Sequence, residues 1–149
     1  MVYKEVSASP EWIRQLISLS EQWENEGSCR GYRKNSASDI DGRRIFVALN
    51  GKEIAGYLFG KTGFAPSTDS VMVKGTPFFE LEELYVRPSA RSHGTGSHLF
   101  AYAKRVLDGE VEYILLSTAT KDMKAILHFY TDLIGMEFWS ARLFMRIPD

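Results

Sequence analysis

The stretch that decides how this sequence is interpreted is residues 82–96, EELYVRPSARSHGTG. It overlaps residues 78–86, whose imperfect alternation predicts a strand that ends before Pro88, since proline disfavours continued regular structure. Gly94 and Gly96 follow. Beyond them, apolar residues recur at helical spacing at Leu99, Phe100, Ala103, Val106 and Leu107. The local pattern therefore predicts a strand, a short loop and a helix that opens on two glycines.

Further strands are predicted on both sides of this unit. Residues 44–49 and 53–60 read as a hairpin with Asn50-Gly51 as its turn. Residues 113–117 are short and almost wholly apolar, as expected for a strand buried on both faces. Residues 137–147 are expected to supply one or two closing strands.

Helices are predicted before and after the central unit. Apolar residues at helical spacing favour a helix over residues 10–24, and residues 27–40 are polar and irregular. A last helix should start at Asp122 as its N-cap and stop at Gly135. The predicted order is β-α-(loop or helix)-β-β-β-α-β-α-β-β. Because β-α-β crossovers join parallel strands, the strands ending at residue 86 and starting at residue 113 should run parallel.

Composition restricts the class of protein. The chain has 149 residues, with 18 Lys and Arg against 19 Asp and Glu and a net charge of −1. This predicts a single domain over residues 1–149 and argues against a nucleic-acid or membrane-surface partner. One cysteine, Cys29, excludes an internal disulfide and a cysteine zinc cage, so no metal is expected. Without a membrane span or a signal-peptide pattern, the chain is expected to be soluble and cytoplasmic.

The glycine-rich loop has the chemistry of an anion site. A helix start presents unpaired N–H groups and the positive end of the helix dipole, which suit a phosphate or pyrophosphate. Glycines allow close approach of a ligand, and Arg91 adds a cation. The third glycine of a dinucleotide-binding motif and the Gly-Lys-Ser/Thr of a P-loop are absent, so neither nucleotide motif is complete.

Residues 84–88 (LYVRP) and 91–96 (RSHGTG) resemble motif A of the GNAT superfamily of N-acetyltransferases, Gln/Arg-x-x-Gly-x-Gly/Ala. Residues 125–138 are similar to the family's motif B. The resemblance implies an α/β (α+β) fold whose central, mostly antiparallel mixed sheet has a parallel β-α-β unit splayed around acetyl-CoA, with helices on both faces. It also implies an acetyl-CoA-dependent N-acetyltransferase of the EC 2.3.1 class.

The resemblance carries the cofactor contacts onto residues of this sequence. The pyrophosphate would lie on the loop and helix start, and the pantetheine arm would bond to strand backbone exposed by a bulge near Leu84. Two positions depart from the family pattern: Ser92, where glycine is common, and Asp122, where many members have asparagine. The implied cofactor-binding residues are Leu84, Tyr85, Val86, Arg91, Ser92, His93, Gly94, Thr95, Gly96, Ser97, Asp122 and Tyr130.

The resemblance also implies catalytic roles. Glu82 or Glu83 would take a proton from the acceptor amine, and Glu82 is preferred because aminoglycoside-type members carry an acidic residue at the corresponding spacing. Tyr130 would protonate the departing thiolate. From the residues alone, adjacent carboxylates on a strand are more often solvent-exposed, and a tyrosine on an apolar stripe is more often a core residue.

The acceptor is not fixed by the sequence. Residues 21–41 mix acidic and basic side chains with Trp23 and Tyr32, which would suit a cationic amine or simply form a solvated face. The acceptor could be a small-molecule amine or a peptide amine, and a homodimer is a further option. The alternative functions are a non-catalytic acyl-CoA-binding or regulatory module on the same fold and, failing the family, a small nucleotide-binding domain.

Overall fold

A five-stranded sheet, with strands in chain order, forms the centre of the computed structural model, which describes residues 1–148. The first four strands are antiparallel to their neighbours, and the fifth runs parallel to the fourth. This confirms the predicted mixed sheet and its parallel β-α-β unit. The strands are β1 (Val2–Val6), β2 (Arg44–Asn50), β3 (Glu53–Phe64), β4 (Pro77–Val86) and β5 (Tyr113–Leu115).

One face of the sheet is covered by α1 (Pro10–Glu26) and the one-turn helix α2 (Ala37–Ile40). Pro10 stands at the first position of α1, and Gly27 ends it with a left-handed φ of +64°. The helix is two residues longer than predicted. Buried side chains of α1 and of β2 to β4 form a core on this side that includes Leu16, Leu19, Ile45, Tyr57 and Tyr85.

The other face is covered by α3 (Thr95–Leu107), whose buried residues Leu99, Phe100, Ala103 and Leu107 are those of the predicted stripe. After β5 come α4 (Met123–Leu127) and a π-helix (His128–Ile134). Asp122 caps α4, because its side chain accepts a hydrogen bond from the Ala125 N–H at 3.1 Å. Gly135 ends the π-helix with φ +92°, as predicted.

The predicted closing strands over residues 137–147 are wrong for this structure. Residues 138–148 form no strand, and Leu143, Phe144, Met145 and Ile147 are at least 77% exposed. The preference of these residues for strands does not by itself form a strand, because pairing depends on the tertiary surroundings. β5 is also shorter than predicted and is an edge strand with Tyr113 exposed, so the expectation of burial on both faces is wrong as well. Within residues 1–148 no helix is long and apolar enough to cross a membrane.

Candidate active site

β4 and β5 separate part-way along the sheet. They pair only from Phe78–Tyr113 to Glu80–Leu115, and β4 then continues alone to Val86. The chain beyond β5 bonds instead to the segment that follows α1: Arg30 N–H donates to the Ala119 carbonyl at 2.8 Å. The second half of β4 therefore has no strand partner on this side, and the space between it and the chain after β5 forms a cleft.

The backbone of β4 offers hydrogen-bonding groups to this cleft. Val86 pairs with Gly56 on β3, and Arg87 N–H donates to the Ala55 carbonyl at 2.8 Å. In an antiparallel ladder, consecutive residues point their N–H and C=O groups to opposite sides of the strand. The backbone groups of Leu84 and Val86 therefore point away from β3, into the cleft.

A β-bulge lies at the entrance to this segment. Phe59 pairs with Glu83 and Gly60 with Leu81, so Glu82 is the extra residue on β4, two residues before Leu84. Gly60 permits the close approach, because a Cβ there would overlap the Glu80 carbonyl oxygen. The bulge interrupts the regular alternation of β4 between Leu81 and Glu83.

The loop after β4 leads to an uncapped helix start. Gly94 has φ +78°, and the first hydrogen bond of α3 runs from His98 N–H to the Gly94 carbonyl at 2.9 Å. The N–H groups of Thr95, Gly96 and Ser97 consequently have no acceptor within the helix. Such a helix start can bind an anion through its N–H groups and dipole.

Arg91 is already engaged at the side of this loop. Its Nε donates to the Val86 carbonyl at 2.9 Å, and an Nη atom lies 2.7 Å from Glu26 Oε1 at the end of α1. The guanidinium also lies 5.5 Å from the centre of the Tyr85 ring. The predicted cation is thus present, but its charge is paired.

Glu83 lies in a polar cluster on the α1 side of the sheet. Its Oε1 accepts hydrogen bonds from Tyr57 Oη at 2.8 Å, Tyr32 Oη at 2.9 Å and Asn35 Nδ2 at 3.0 Å. Its Oε2 accepts none from the described residues, and since no fully buried side-chain N or O atom in residues 1–148 lacks a partner, Oε2 is at least partly exposed. Burial raises the pKa of the Glu83 carboxyl, against the lowering effect of the three donors.

The raised pKa of Glu83 predicts a pH dependence of stability. Between the unfolded and folded pKa values of Glu83 the native state holds the extra proton, so the free energy of unfolding should fall as pH rises through that interval. Urea unfolding of the wild type and of Glu83→Gln across pH 4–8 measures this. The variant should lose that decrease, and an identical pH dependence in both proteins would contradict the raised pKa.

Glu82 faces a different partner. Arg43 Nε lies 2.5 Å from Glu82 Oε1, and an Nη atom lies 3.4 Å from Oε2, so one guanidinium contacts both carboxylate oxygens. Both oxygens of Glu82 are therefore engaged in an ion pair with Arg43.

Aromatic rings form a wall next to the Glu83 cluster. Trp23 stacks on Tyr32 with ring centres 4.3 Å apart and on Tyr85 at 5.3 Å. The phenol of Tyr32 donates to Glu83, and that of Tyr85 donates to Glu26 Oε2 at 2.6 Å. The wall therefore carries a carboxylate at each end.

Tyr130 lies in the π-helix, near the start of α3. Its neighbour Phe129 lies against Gly96, where a Cβ would meet the ring at 3.2 Å. Burial, together with the nearby Cys29 thiol, raises the pKa of Tyr130 to about 12. The phenol therefore keeps its proton at neutral pH.

A sequence model of the acetyltransferase (GNAT) family matches residues 10–136. The chain belongs to the GNAT family of acetyltransferases. It is therefore an acyltransferase of the EC 2.3.1 class, and acetyl-CoA is the donor typical of this family. No curated protein matches the chain in sequence.

Solved structures show the same GNAT fold. An aminoglycoside acetyltransferase from an uncultured soil metagenomic sample, in complex with sisomicin, has a TM-score of 0.69 and 16% identity, and the alignment covers 98% of this chain and 95% of that one. Aminoglycoside N-acetyltransferase AAC(6')-Iy in complex with CoA has a TM-score of 0.67 and 16% identity, and the alignment covers 99% of this chain and 100% of that one. A transcriptional regulator from Bacillus halodurans C-125 has a TM-score of 0.69 and 21% identity, and the alignment covers 98% of this chain and 100% of that one. At these identities the similarity establishes the fold alone.

Several GNAT motif residues act within the protein in this structure. Ser92 has φ +66°, a left-handed conformation that explains why glycine is common at this position of the family. Thr95 is buried and donates to the Ala90 carbonyl at 3.2 Å, and Ser97 Oγ donates to the Gly94 carbonyl at 3.1 Å. The Asp122 side chain caps α4, so its cofactor contact is still a prediction.

Sequence reasoning missed Asn35, Tyr57 and the role of Glu26. Asn35 and Tyr57 reach Glu83 across 48 and 26 residues of chain, and Tyr57 sits in an apolar strand pattern that gives no sign of a polar role. Glu26 was one of several acidic residues in a mixed segment. Its position at the end of α1 could have indicated that Glu26 has a cationic partner, because an unpaired carboxylate there interacts unfavourably with the helix dipole.

Proposed function

We propose that this GNAT protein is a single-domain N-acetyltransferase that transfers the acetyl group of acetyl-CoA to a primary amine by direct attack in a ternary complex. The observation that carries the proposal is Glu83: a half-buried carboxylate, held through one oxygen, on the residue next to Leu84, whose backbone points into the cleft. An accessible second oxygen on a fixed carboxylate suits proton transfer from a bound amine.

The residues beside the cleft fit acetyl-CoA. The N–H groups of Thr95, Gly96 and Ser97 suit its pyrophosphate, and the N–H groups of Leu84 and Val86 and the C=O group of Leu84 suit the amides of its pantetheine arm. When bound, acetyl-CoA supplies a thioester carbonyl and a thiolate leaving group. The backbone N–H of Leu84 is suited to hydrogen-bond the carbonyl oxygen as negative charge develops on it.

Two side chains would move the protons. Glu83 Oε2 would accept the proton of the acceptor ammonium, and the raised pKa of Glu83 makes it a stronger base than an exposed carboxylate. Glu82 stays a prediction for this role, and its pairing with Arg43 favours Glu83 instead. Tyr130, protonated at neutral pH, would donate to the thiolate.

The acceptor we propose is a cationic amine. The rings of Trp23 and Tyr32 lie beside the carboxylate of Glu83, and an aromatic face next to a carboxylate attracts an ammonium group. A thiol-release assay with acetyl-CoA and a panel of amines tests the activity. Turnover of cationic amines is expected, and CoA binding without turnover of any amine would favour the non-catalytic acyl-CoA-binding module.

A pair of variants at Gly96 tests the cofactor site. Gly96→Ala adds a Cβ against Phe129, and Gly96→Asp adds the same contact and a negative charge among the N–H groups. We expect calorimetric affinity for acetyl-CoA to fall by about 10- to 100-fold more in Gly96→Asp than in Gly96→Ala, because like charges meet at the pyrophosphate. Equal affinities in two folded variants would exclude this helix start as the pyrophosphate site.

A further inference from the structure

The ion pair between Arg91 and Glu26 connects the loop of the proposed pyrophosphate site with the end of α1. Arg91 belongs to the loop that leads into α3, and Glu26 lies in the last turn of α1. The pair is 2.7 Å long, and Glu26 Oε2 also accepts the Tyr85 phenol at 2.6 Å. Tyr85 in turn stacks on Trp23 of the aromatic wall.

The position of Arg91 is fixed by more than this pair. Its Nε donates to the Val86 carbonyl at the end of β4, and its guanidinium lies over the Tyr85 ring. The side chain is therefore directed along β4 towards α1. The positive charge that would assist a pyrophosphate is balanced by a carboxylate in the same place.

We propose that Glu26 is a positioning residue that competes with the phosphates of acetyl-CoA for Arg91. This inference rests on the proposed cofactor site. A pyrophosphate that takes hydrogen bonds from Arg91 has to displace Glu26 or meet its carboxylate as a like charge, and each alternative weakens binding. Glu26 thus lowers the affinity for acetyl-CoA, although it lies outside the loop that holds the phosphates.

The size of the effect follows from exposure. The side chains of Arg91 and Glu26 are 44% and 25% exposed, so solvent screens the pair. Exposed ion pairs contribute up to about 1 kcal/mol, which corresponds to roughly a fivefold change in affinity. We therefore expect Glu26→Gln to bind acetyl-CoA about two- to fivefold more tightly than the wild type.

The test is a calorimetric double-mutant cycle with acetyl-CoA, and it needs no turnover. Glu24→Gln is the matched control, since it removes the same charge from α1 at a residue whose carboxylate bonds to Lys34 N–H. Arg91→Gln should weaken binding. In the Arg91→Gln background, Glu26→Gln should have no effect, because Glu26 acts through Arg91.

The outcomes separate this inference from the cofactor site. Tighter binding in Glu26→Gln, absent from Glu24→Gln and from the Arg91→Gln background, supports it. Unchanged or weaker binding of acetyl-CoA to Glu26→Gln overturns the inference. An equal gain in affinity in the wild-type and the Arg91→Gln backgrounds also overturns it, because the effect of the Glu26 charge would then not depend on Arg91. A wild type that does not bind acetyl-CoA would overturn the cofactor site and this inference with it.

Discussion

Glu83→Gln is expected to lower kcat/KM by about 10²–10⁴, the usual contribution of a general base. The amide keeps the size of the side chain and an oxygen for the donors Tyr32, Asn35 and Tyr57, but it cannot take a proton from an ammonium group. The wild-type rate should fall as pH drops through the pKa of Glu83, which burial places above the ordinary carboxyl value. A pH profile of kcat/KM should lack this acidic limb in the variant.

Glu82→Gln is the matched control for this prediction, because it makes the same change one residue earlier on β4. Its carboxylate contacts Arg43 through both oxygens, so its loss should cost less activity and leave the acidic limb in place. If Glu82→Gln removes the limb and Glu83→Gln does not, the base is Glu82, as the family resemblance suggested. If both variants keep the limb, neither carboxylate is the base.

The local part of the fold was accessible from sequence. The apolar stripe of α3, its glycine start and the Asp122 cap of α4 depend on residues within a few positions of each other, where spacing and capping preferences act directly. The parallel pairing of β4 and β5 also followed, since a strand-helix-strand unit has few allowed connections. The family motif could be recognised from one short stretch because its residues also lie within a few positions of each other.

The chemistry of the two adjacent glutamates was not accessible in this way. Glu82 and Glu83 are alike in sequence, but their partners lie far along the chain, and a one-residue bulge against β3 interrupts the alternation of β4 between Leu81 and Glu83. That bulge depends on Gly60, whose missing Cβ lets the strands approach. The hydrogen bond from Tyr32 to Glu83 spans 51 residues, so it exists only once the sheet and the segment after α1 have come together.

The closing strands failed for a related reason. Residues 137–147 have an apolar composition that suits a strand, but β5 ends at Leu115 and the chain after it bonds to the segment near Arg30. Phe144 lies over the Arg30 guanidinium at 4.9 Å in place of a strand partner. Strand preference measures fit to a sheet surface, and the partner that supplies this surface is set by the tertiary structure.

Tyr130→Phe is expected to slow acetyl transfer in a single turnover by about 10²–10⁴, with acetyl-CoA affinity nearly unchanged. The ring, which packs beside Phe129, is retained, and only the hydroxyl that would protonate the thiolate is removed. Single-turnover measurement is needed because slow product release would hide the loss. Tyr113→Phe on β5, where the strand still pairs with β4, is the matched control and should keep the wild-type rate. A folded Tyr130→Phe protein with the wild-type single-turnover rate would make Tyr130 a packing residue and leave water as the acid.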